Sequence, residues 1–306
     1  MAMNRAAMQR QLVPGLNKLF GLEYRKYPDQ HTQIYEAATS DRSFEEELKL
    51  SGFGLAATKT EGAGITYDTA QEAWVARYNF EVVALGFAIT EEAIEDNLYE
   101  ALAARYTKAL AKSMADTKQI KAVALLNNGF LTSGVGYTAG GDGKALFATD
   151  HPLVSGGTNS NRSATGVDLN ETALENMFIQ LQGWTDERGL LIAASPRKMI
   201  IPPQLQFTAE RLLKSPMRSG TADNDINALT SVGVLPEGFV VNNRLTDTNA
   251  WFVKTDIPNG MKHFTRAPLK TAEEGDFETG NFKYKARERY GFGWTDPLAI
   301  WGSPGA

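Results

Sequence analysis

The chain has 306 residues, 42% hydrophobic and 22% charged, enough to bury a core for two domains or one elaborate one. A formal net charge of −5 argues against a generic nucleic-acid binder, and the absence of cysteine excludes disulfide staples, thiolate zinc sites and cysteine catalysis. No run reaches the roughly 18 apolar residues of a membrane span, and Met1 to Arg10 has no hydrophobic signal-peptide core.

Residues 1–50 read as an arm rather than a domain. Leu12-Val13-Pro14-Gly15 punctuates the segment, and Leu16, Leu19 and Phe20 predict one short helix. Tyr24, Tyr27, Ile34 and Tyr35 follow without a regular period, so the arm needs a larger body to lie on. Glu45-Glu46-Glu47 reads as a solvated acidic face.

Residues 51–89 predict a hairpin. Ile65 to Tyr67 and Trp74 to Ile89 read as strands, joined by the turn Asp68-Thr69-Ala70-Gln71. Trp74, Ala76, Tyr78, Phe80 and Val82 share one face, and Arg77, Asn79 and Glu81 the other. A lone two-stranded hairpin is marginal in water, so its aromatic face needs a partner surface, in its own body or on another copy.

Thr90 to about Asn128 predicts one long amphipathic helix. Ile94, Leu98, Leu102, Tyr106, Leu110 and Met114 recur at four-residue steps. Thr90 suits an N-cap, Glu91 and Glu92 suit the positive end of the dipole, and Gly129 suits a left-handed stop. At about 1.5 Å per residue the helix would run for about 55–60 Å, a spine on which other pieces can lie. The passage 129–166 is rich in glycine, the mark of a functional or mobile loop.

Residues 167–260 predict a mixed α/β unit. Asp168 and Glu171 form a capping-box signal, and Leu174, Met177, Phe178 and Leu181 follow at helical spacing. Leu190 to Ala194 and Lys198 to Ile201 read as buried strands, and Pro202-Pro203 opens a helix to Leu213. Ser219 to Asp225 reads as a polar loop, and Gly238 to Asn242 and Ala250 to Lys254 as short strands. In residues 261–306 the run Phe282 to Tyr290 alternates: Phe282, Tyr284, Ala286 and Tyr290 face one way, and Lys283, Lys285, Arg287 and Arg289 the other.

Candidates for chemistry are few. His31, His151 and His263 lie in three separate segments, and only Asp142, Asp150 and His151 form a local cluster that a metal-dependent hydrolase could use. That cluster lacks the ligand spacing of a metal site, and Gly140-Gly141-Asp142-Gly143-Lys144 lacks the phosphate-loop pattern. No catalytic, cofactor-binding or metal residue is assigned, and no cofactor is expected. The basic face at 283–289 could track a phosphate backbone, meet acidic residues such as Glu273, Glu274, Asp276 and Glu278, or simply be solvated.

Taken in order, these pieces resemble the major capsid proteins of tailed phages, the Mu-type major head subunit group in particular. The matching stretches are Glu61-Gly62 before Ile65–Asp68, Phe87-Ala88-Ile89-Thr90-Glu91-Glu92, and Leu125-Leu126-Asn127-Asn128-Gly129-Phe130. Asp142-Gly143-Lys144-Ala145-Leu146-Phe147 with His151-Pro152, Ile201-Pro202-Pro203-Gln204-Leu205, Ala250-Trp251-Phe252-Val253 and Tyr290-Gly291-Phe292-Gly293-Trp294 complete the set. The resemblance implies an α+β capsid fold of the HK-ninety-seven type. On that template residues 1–50 are the N-terminal arm, 51–89 an extended E-loop hairpin, and 90–166 a P-domain with the spine helix and glycine-rich loop. Residues 167–260 are an A-domain, and 261–306 the strands returning to the P-domain with a C-terminal tail. The implied function is a structural shell subunit forming pentamers and hexamers in an icosahedral virion head, assembled in the host cytoplasm. Implied partners are further copies, a separate scaffolding protein, a portal, a maturation protease and weakly contacted DNA, with no membrane. An encapsulin-like nanocompartment shell is the alternative within the same fold.

Overall fold

The computed structural model describes residues 5–95, 99–217, 225–276 and 279–306, with side chains at 5–13 and 94–102 left aside. Two four-stranded sheets organise the chain. The first has the order β1 (Glu36–Thr39), β10 (Met261–Gly275), β11 (Phe282–Trp294), β4 (Glu81–Ile89). Its β1 runs parallel to β10, and the other neighbours are antiparallel. The second has the order β12 (Ile300–Ser303), β9 (Trp251–Thr255), β7 (Pro196–Ile201), β8 (Phe239–Val241), parallel only between β7 and β8. Two smaller pairs complete the strands: β2 (Phe44–Leu50) with β3 (Glu72–Asn79), and β5 (His151–Pro152) with β6 (Thr158–Asn159).

On one face of the first sheet lie α1 (Arg5–Tyr24) and α3 (Tyr99–Asn127), the latter preceded by the short α2 (Glu91–Glu95). Leu16 and Phe20 of α1, Leu110 and Met114 of α3, and Phe282 and Tyr284 of β11 share one core. The inward row of β11 is thus the apolar row of the alternation, as strand geometry requires. Midway along β10, Pro268 has no N–H to give to the ladder, and the register with β11 slips on either side of Ala267. The second sheet carries α4 (Glu171–Gln182), whose Leu174, Met177 and Leu181 pack with Met199, Trp251 and Trp301. Next to that sheet are α5 (Gln206–Lys214) and α6 (Ala228–Val232). A third core, with Tyr35, Val123, Leu126, Phe147, Phe252 and Trp294, joins the C-terminal end of α3 to both sheets.

Several predicted details change. The helix α1 runs straight through Pro14, because burial of Leu16 and Phe20 outweighs the roughly 3 kcal/mol an interior proline costs. The buried stripe of α3 is Ala103, Thr107, Leu110, Met114, Gln119, Val123 and Leu126, while Tyr106 is exposed. Leu110 and Met114 of the predicted row are buried as expected, but a strict four-residue step drifts about 40° per step against the helical period, and Tyr106 already lies outside the core. Ile94, Leu98 and Leu102 fall outside the described side chains. Gly129 is not left-handed; a Cβ there would stand 2.7 Å from the Phe147 ring, so close packing is its reason. The N-cap of α4 is Asn170, whose side chain accepts from the Ala173 N–H at 2.8 Å; Asp168 instead accepts from the Ala306 N–H. Leu190 to Ala194 forms one isolated bridge rather than a strand, and positions 219–224 of the predicted loop lie outside the described residues.

Candidate assembly surface

The stretch between β2 and β3 departs furthest from expectation. Ile65 to Tyr67 is not a strand: residues 51–71 carry no regular ladder, and β3 pairs with β2. The long run from Trp74 breaks at Phe80, where β3 leaves β2 and β4 joins β11. Ala76, Tyr78 and Phe80 are therefore buried as predicted, but Val82 is exposed.

The base of this loop is firmly held. Ser51 and Gln71 exchange bonds, with the Ser51 N–H donating to the Gln71 carbonyl at 2.8 Å and the Gln71 N–H to Ser51 Oγ at 2.9 Å. Asp68 accepts from the Gly54 N–H at 2.8 Å and from Arg188 at 3.0 Å. Those backbone donors, with the Arg188 charge, hold its carboxyl below the usual range. Below the loop, Lys49 sits between Glu187 at 2.9 Å and Asp296 at 3.0 Å, all three largely buried. Burial alone would lower the Lys49 pKa; the two carboxylates outweigh it and raise it. Glu47 binds Lys262 at 2.5 Å and accepts from Thr295 Oγ1 at 2.6 Å. The predicted solvated run Glu45-Glu46-Glu47 thus contains one residue that fastens β2 to β10.

Beyond that base the loop is bare. Phe53 is 61% exposed, Leu55 87%, Ile65 70% and Tyr67 90%. Four large apolar side chains on one strand-free loop are unlike the singly scattered apolar residues of an ordinary surface. Close by, Gly141 passes 2.7 Å (measured from a notional Cβ) from the Val75 carbonyl, so only glycine lets the 139–143 segment lie against β3.

The predicted acid–base cluster is only partly assembled. His151 Nδ1 donates to Asp142 at 2.6 Å and both side chains are buried, but Asp150 turns outward onto Lys144. Among the described residues no group of three His, Cys, Asp or Glu could hold a metal ion, so the hydrolase constellation of Asp142, Asp150 and His151 does not form. The other ring nitrogen of His151 lies 3.2 Å from Asn161 Oδ1. Asn161 donates to the carbonyls of Leu146, Pro297 and Ile300 and accepts from the Ala148 N–H, so the cluster locks the loop to the chain's C-terminal strands. Burial pushes the Asp142 carboxyl up, but the His151 hydrogen bond and charge and the Lys144 N–H outweigh it and bring it down.

On the basic strand, Lys283 pairs with Asp276 at 2.6 Å and Arg289 donates to the Ser43 carbonyl at 3.4 Å, while Lys285 and Arg287 stay open. Glu278 lies outside the described residues. The inward row hides a residue that sequence reasoning passed over. Glu288 is buried and meets Lys118 of α3 at 2.7 Å. A charge at position 288, in register with 282, 284, 286 and 290, was the available signal: a buried carboxylate demands a partner. Around the pair stand Tyr24, Tyr290, His31 and His263. Burial, reinforced by His31 and Lys118, pushes His263 down to about 3.

A model of the phage capsid protein family matches residues 74–302. The chain belongs to the phage capsid protein family. The match takes in most of both sheets and the whole of α3, and this α+β capsid chain is a structural subunit of the virion and not an enzyme. Similar solved folds include the capsid of cyanophage P-SCSP1u, with 14% identity and TM-score 0.54 over 88% of this chain and 85% of that one. The capsid of a native GTA particle has 16% identity and TM-score 0.53 over 88% and 87%. A virus-like particle from Pyrococcus furiosus has 12% identity and TM-score 0.50 over 94% and 97%. No curated protein matches the sequence. Membership in a capsid implies assembly of many copies, and no described helix is long and apolar enough to cross a membrane.

Proposed function

We propose that this capsid chain assembles by laying the exposed loop 51–71 of one copy over a neighbouring copy. Such a contact joins different patches head to tail, so it closes into rings where the rotation allows. Pentamers and hexamers of this kind would close an icosahedral head around double-stranded DNA, with individually modest contacts summed by multivalency. In this reading residues 1–50 are the arm, 51–89 the E-loop, 90–166 the P-domain, 167–260 the A-domain and 261–306 the returning strands and tail. A separate scaffolding protein, a portal and a maturation protease would serve the assembly, and by motif the chain resembles the Mu-type head subunits.

The observation that carries the reading is the contrast between an ion-paired loop base and a loop whose Phe53, Leu55, Ile65 and Tyr67 have nothing of their own to cover them. The test replaces those four residues with serine in the full chain. The expected result is a chain that melts like the parent but yields no shells by electron microscopy. Normal shells from the variant would overturn the assignment of the loop.

A further inference from the structure

We propose that β4 is the strand edge on which a second copy of this chain lays its own β4 antiparallel, the contact that joins one ring of copies to the next. The inference rests on the shell reading for its place and on the sheet edges for its substance. A strand at the rim of a sheet leaves every second N–H and C=O without a ladder partner, and soluble chains blunt such rims with charge, proline, bulges or short length. Most rims of this molecule are blunted. β1 and β12 have four residues each, and β8 has three. β2 carries Glu45, Glu46, Glu47 and Lys49, and the segment 139–143 lies against β3 at Gly141. β4 has none of these devices. It runs for nine residues, Glu81–Ile89, pairs with β11 throughout without a bulge, and carries one charge, Glu81 at its start. Among the described residues nothing bonds the backbone on its free side. Half-exposed apolar side chains stand beside it: Val82 and Leu85 of the strand, and Tyr106 of α3, whose ring lies 5.7 Å from that of Phe87.

The strand complements itself. Paired about its middle residue, Leu85 meets the partner's Leu85, Val83 the partner's Phe87, Ala84 the partner's Gly86, and Val82 the partner's Ala88. That sets a β-branched residue against an aromatic one, a pairing sheets favour, and small against small. The loop segment Ile65 to Tyr67 is the other β-prone candidate, but it offers three residues to an edge of nine. Assembly needs such a contact. Head-to-tail contacts close each ring on itself, so rings join only through a further patch, and one strand meeting itself across a two-fold axis supplies it. The pairing also fixes the sign of the salt effect. Beside β4, β11 carries Lys285 and Arg287 in register with Gly86 and Ala84, so the basic rows of the two copies lie about 14 Å apart, three strand spacings. Their repulsion is screened once the Debye length falls to about 8 Å, near 0.15 M salt.

The test uses the full-length chain, which has no cysteine of its own. The variant L85C puts a single thiol on the two-fold axis, and a short bismaleimide should link it into dimers. V82C, whose two thiols the pairing holds about 20 Å apart, should stay unlinked, and V82C/A88C should link again. Failure of L85C to link, or equal linking of V82C, would overturn the proposal. So would preferential linking of L85C to I65C in a mixed preparation, which would assign the edge to the loop. In sedimentation the parent dimer should tighten with added salt, and L85K should weaken it by about tenfold or more, because it sets like charges face to face. A dimer that loosens with salt would contradict the geometry. L85K should melt like the parent and stop at rings in micrographs; normal shells from it would overturn the proposal. Micrographs of the unmodified chain separate this from the shell reading: absent shells would refute assembly, whereas normal shells in which L85C stays unlinked would refute the edge contact alone.

Discussion

Replacing Lys118 with methionine should destabilise the chain by about 3–5 kcal/mol at neutral pH, because it strands a buried carboxylate. The ammonium stands 2.7 Å from Glu288, with side-chain exposures of 15% and 2%. At that separation and an effective dielectric near 20, the attraction is about 6 kcal/mol before desolvation is subtracted. Methionine keeps an apolar stem of similar length and removes the ammonium, which stands 5.1 Å from the centre of the Tyr290 ring, so the loss is mainly electrostatic. Burial already raises the Glu288 pKa, and Lys118 counters only part of that. Without the lysine it rises further. A carboxyl with a folded-state pKa above its ordinary 4.5 contributes most stability below 4.5 and loses it as pH climbs through the folded value. The penalty should therefore be largest near pH 8 and shrink toward pH 5. Urea unfolding followed by tryptophan fluorescence at about pH 5, 6.5 and 8 reads it directly. The double variant K118M/E288Q should fall within about 1 kcal/mol of the parent, since neither charge is left alone. A single-variant penalty below about 1 kcal/mol at pH 8, or one that does not change with pH, would refute the reasoning.

Two further outcomes follow from buried polar groups. Asn161→Ala should cost about 3 kcal/mol in urea unfolding, because it takes the side-chain partner from the Leu146 carbonyl and the Ala148 N–H and removes a further bond to the Pro297 and Ile300 carbonyls; a loss under about 1 kcal/mol would show that water replaces the amide. His263, pushed down to about 3, binds its proton more weakly folded than unfolded, so its contribution is full above the ordinary 6.5 and is lost as pH falls toward 3. Between about pH 6.5 and 4.5 that amounts to about 2 kcal/mol, and His263→Phe should flatten the fall in melting temperature over this range; an unchanged pH profile would contradict the burial argument.

Much of the architecture was legible because it obeys simple periods. The β11 alternation and the α4 row from Leu174 to Leu181 reappear at their predicted positions, whereas Pro202-Pro203 opens a 3₁₀ turn, Pro203–Leu205, and α5 itself starts only at Gln206. Propensity failed where tertiary packing decided. Pro14 marks a stop locally, yet α1 continues because Leu16 and Phe20 have a core to enter. Ile65 to Tyr67 is β-prone, yet no strand edge faces it in a single chain. The run from Trp74 to Ile89 reads as one strand, but sequence cannot show that its halves pair with β2 and β11 in different places. For the candidate site, the sequence placed the surplus apolar surface on the face from Trp74 to Val82, of which the chain buries Ala76, Tyr78 and Phe80 itself; the exposed side chains sit instead on the loop, at Phe53, Leu55, Ile65 and Tyr67. Nor could the loop's ion-paired base be foreseen: Lys49, Glu187 and Asp296 are far apart in the chain, and only the fold brings them together. The same distance hid the Lys118–Glu288 pair, although an acidic residue in an inward row was a visible anomaly.

Whether one copy covers another is most directly measured by electron cryomicroscopy of the purified chain in its assembled form. The account predicts closed particles in which Phe53, Leu55, Ile65 and Tyr67 of each copy are buried against a neighbouring copy. Particles that leave those four side chains in solvent, or a chain that stays monomeric at every concentration even with its scaffolding protein, would contradict it.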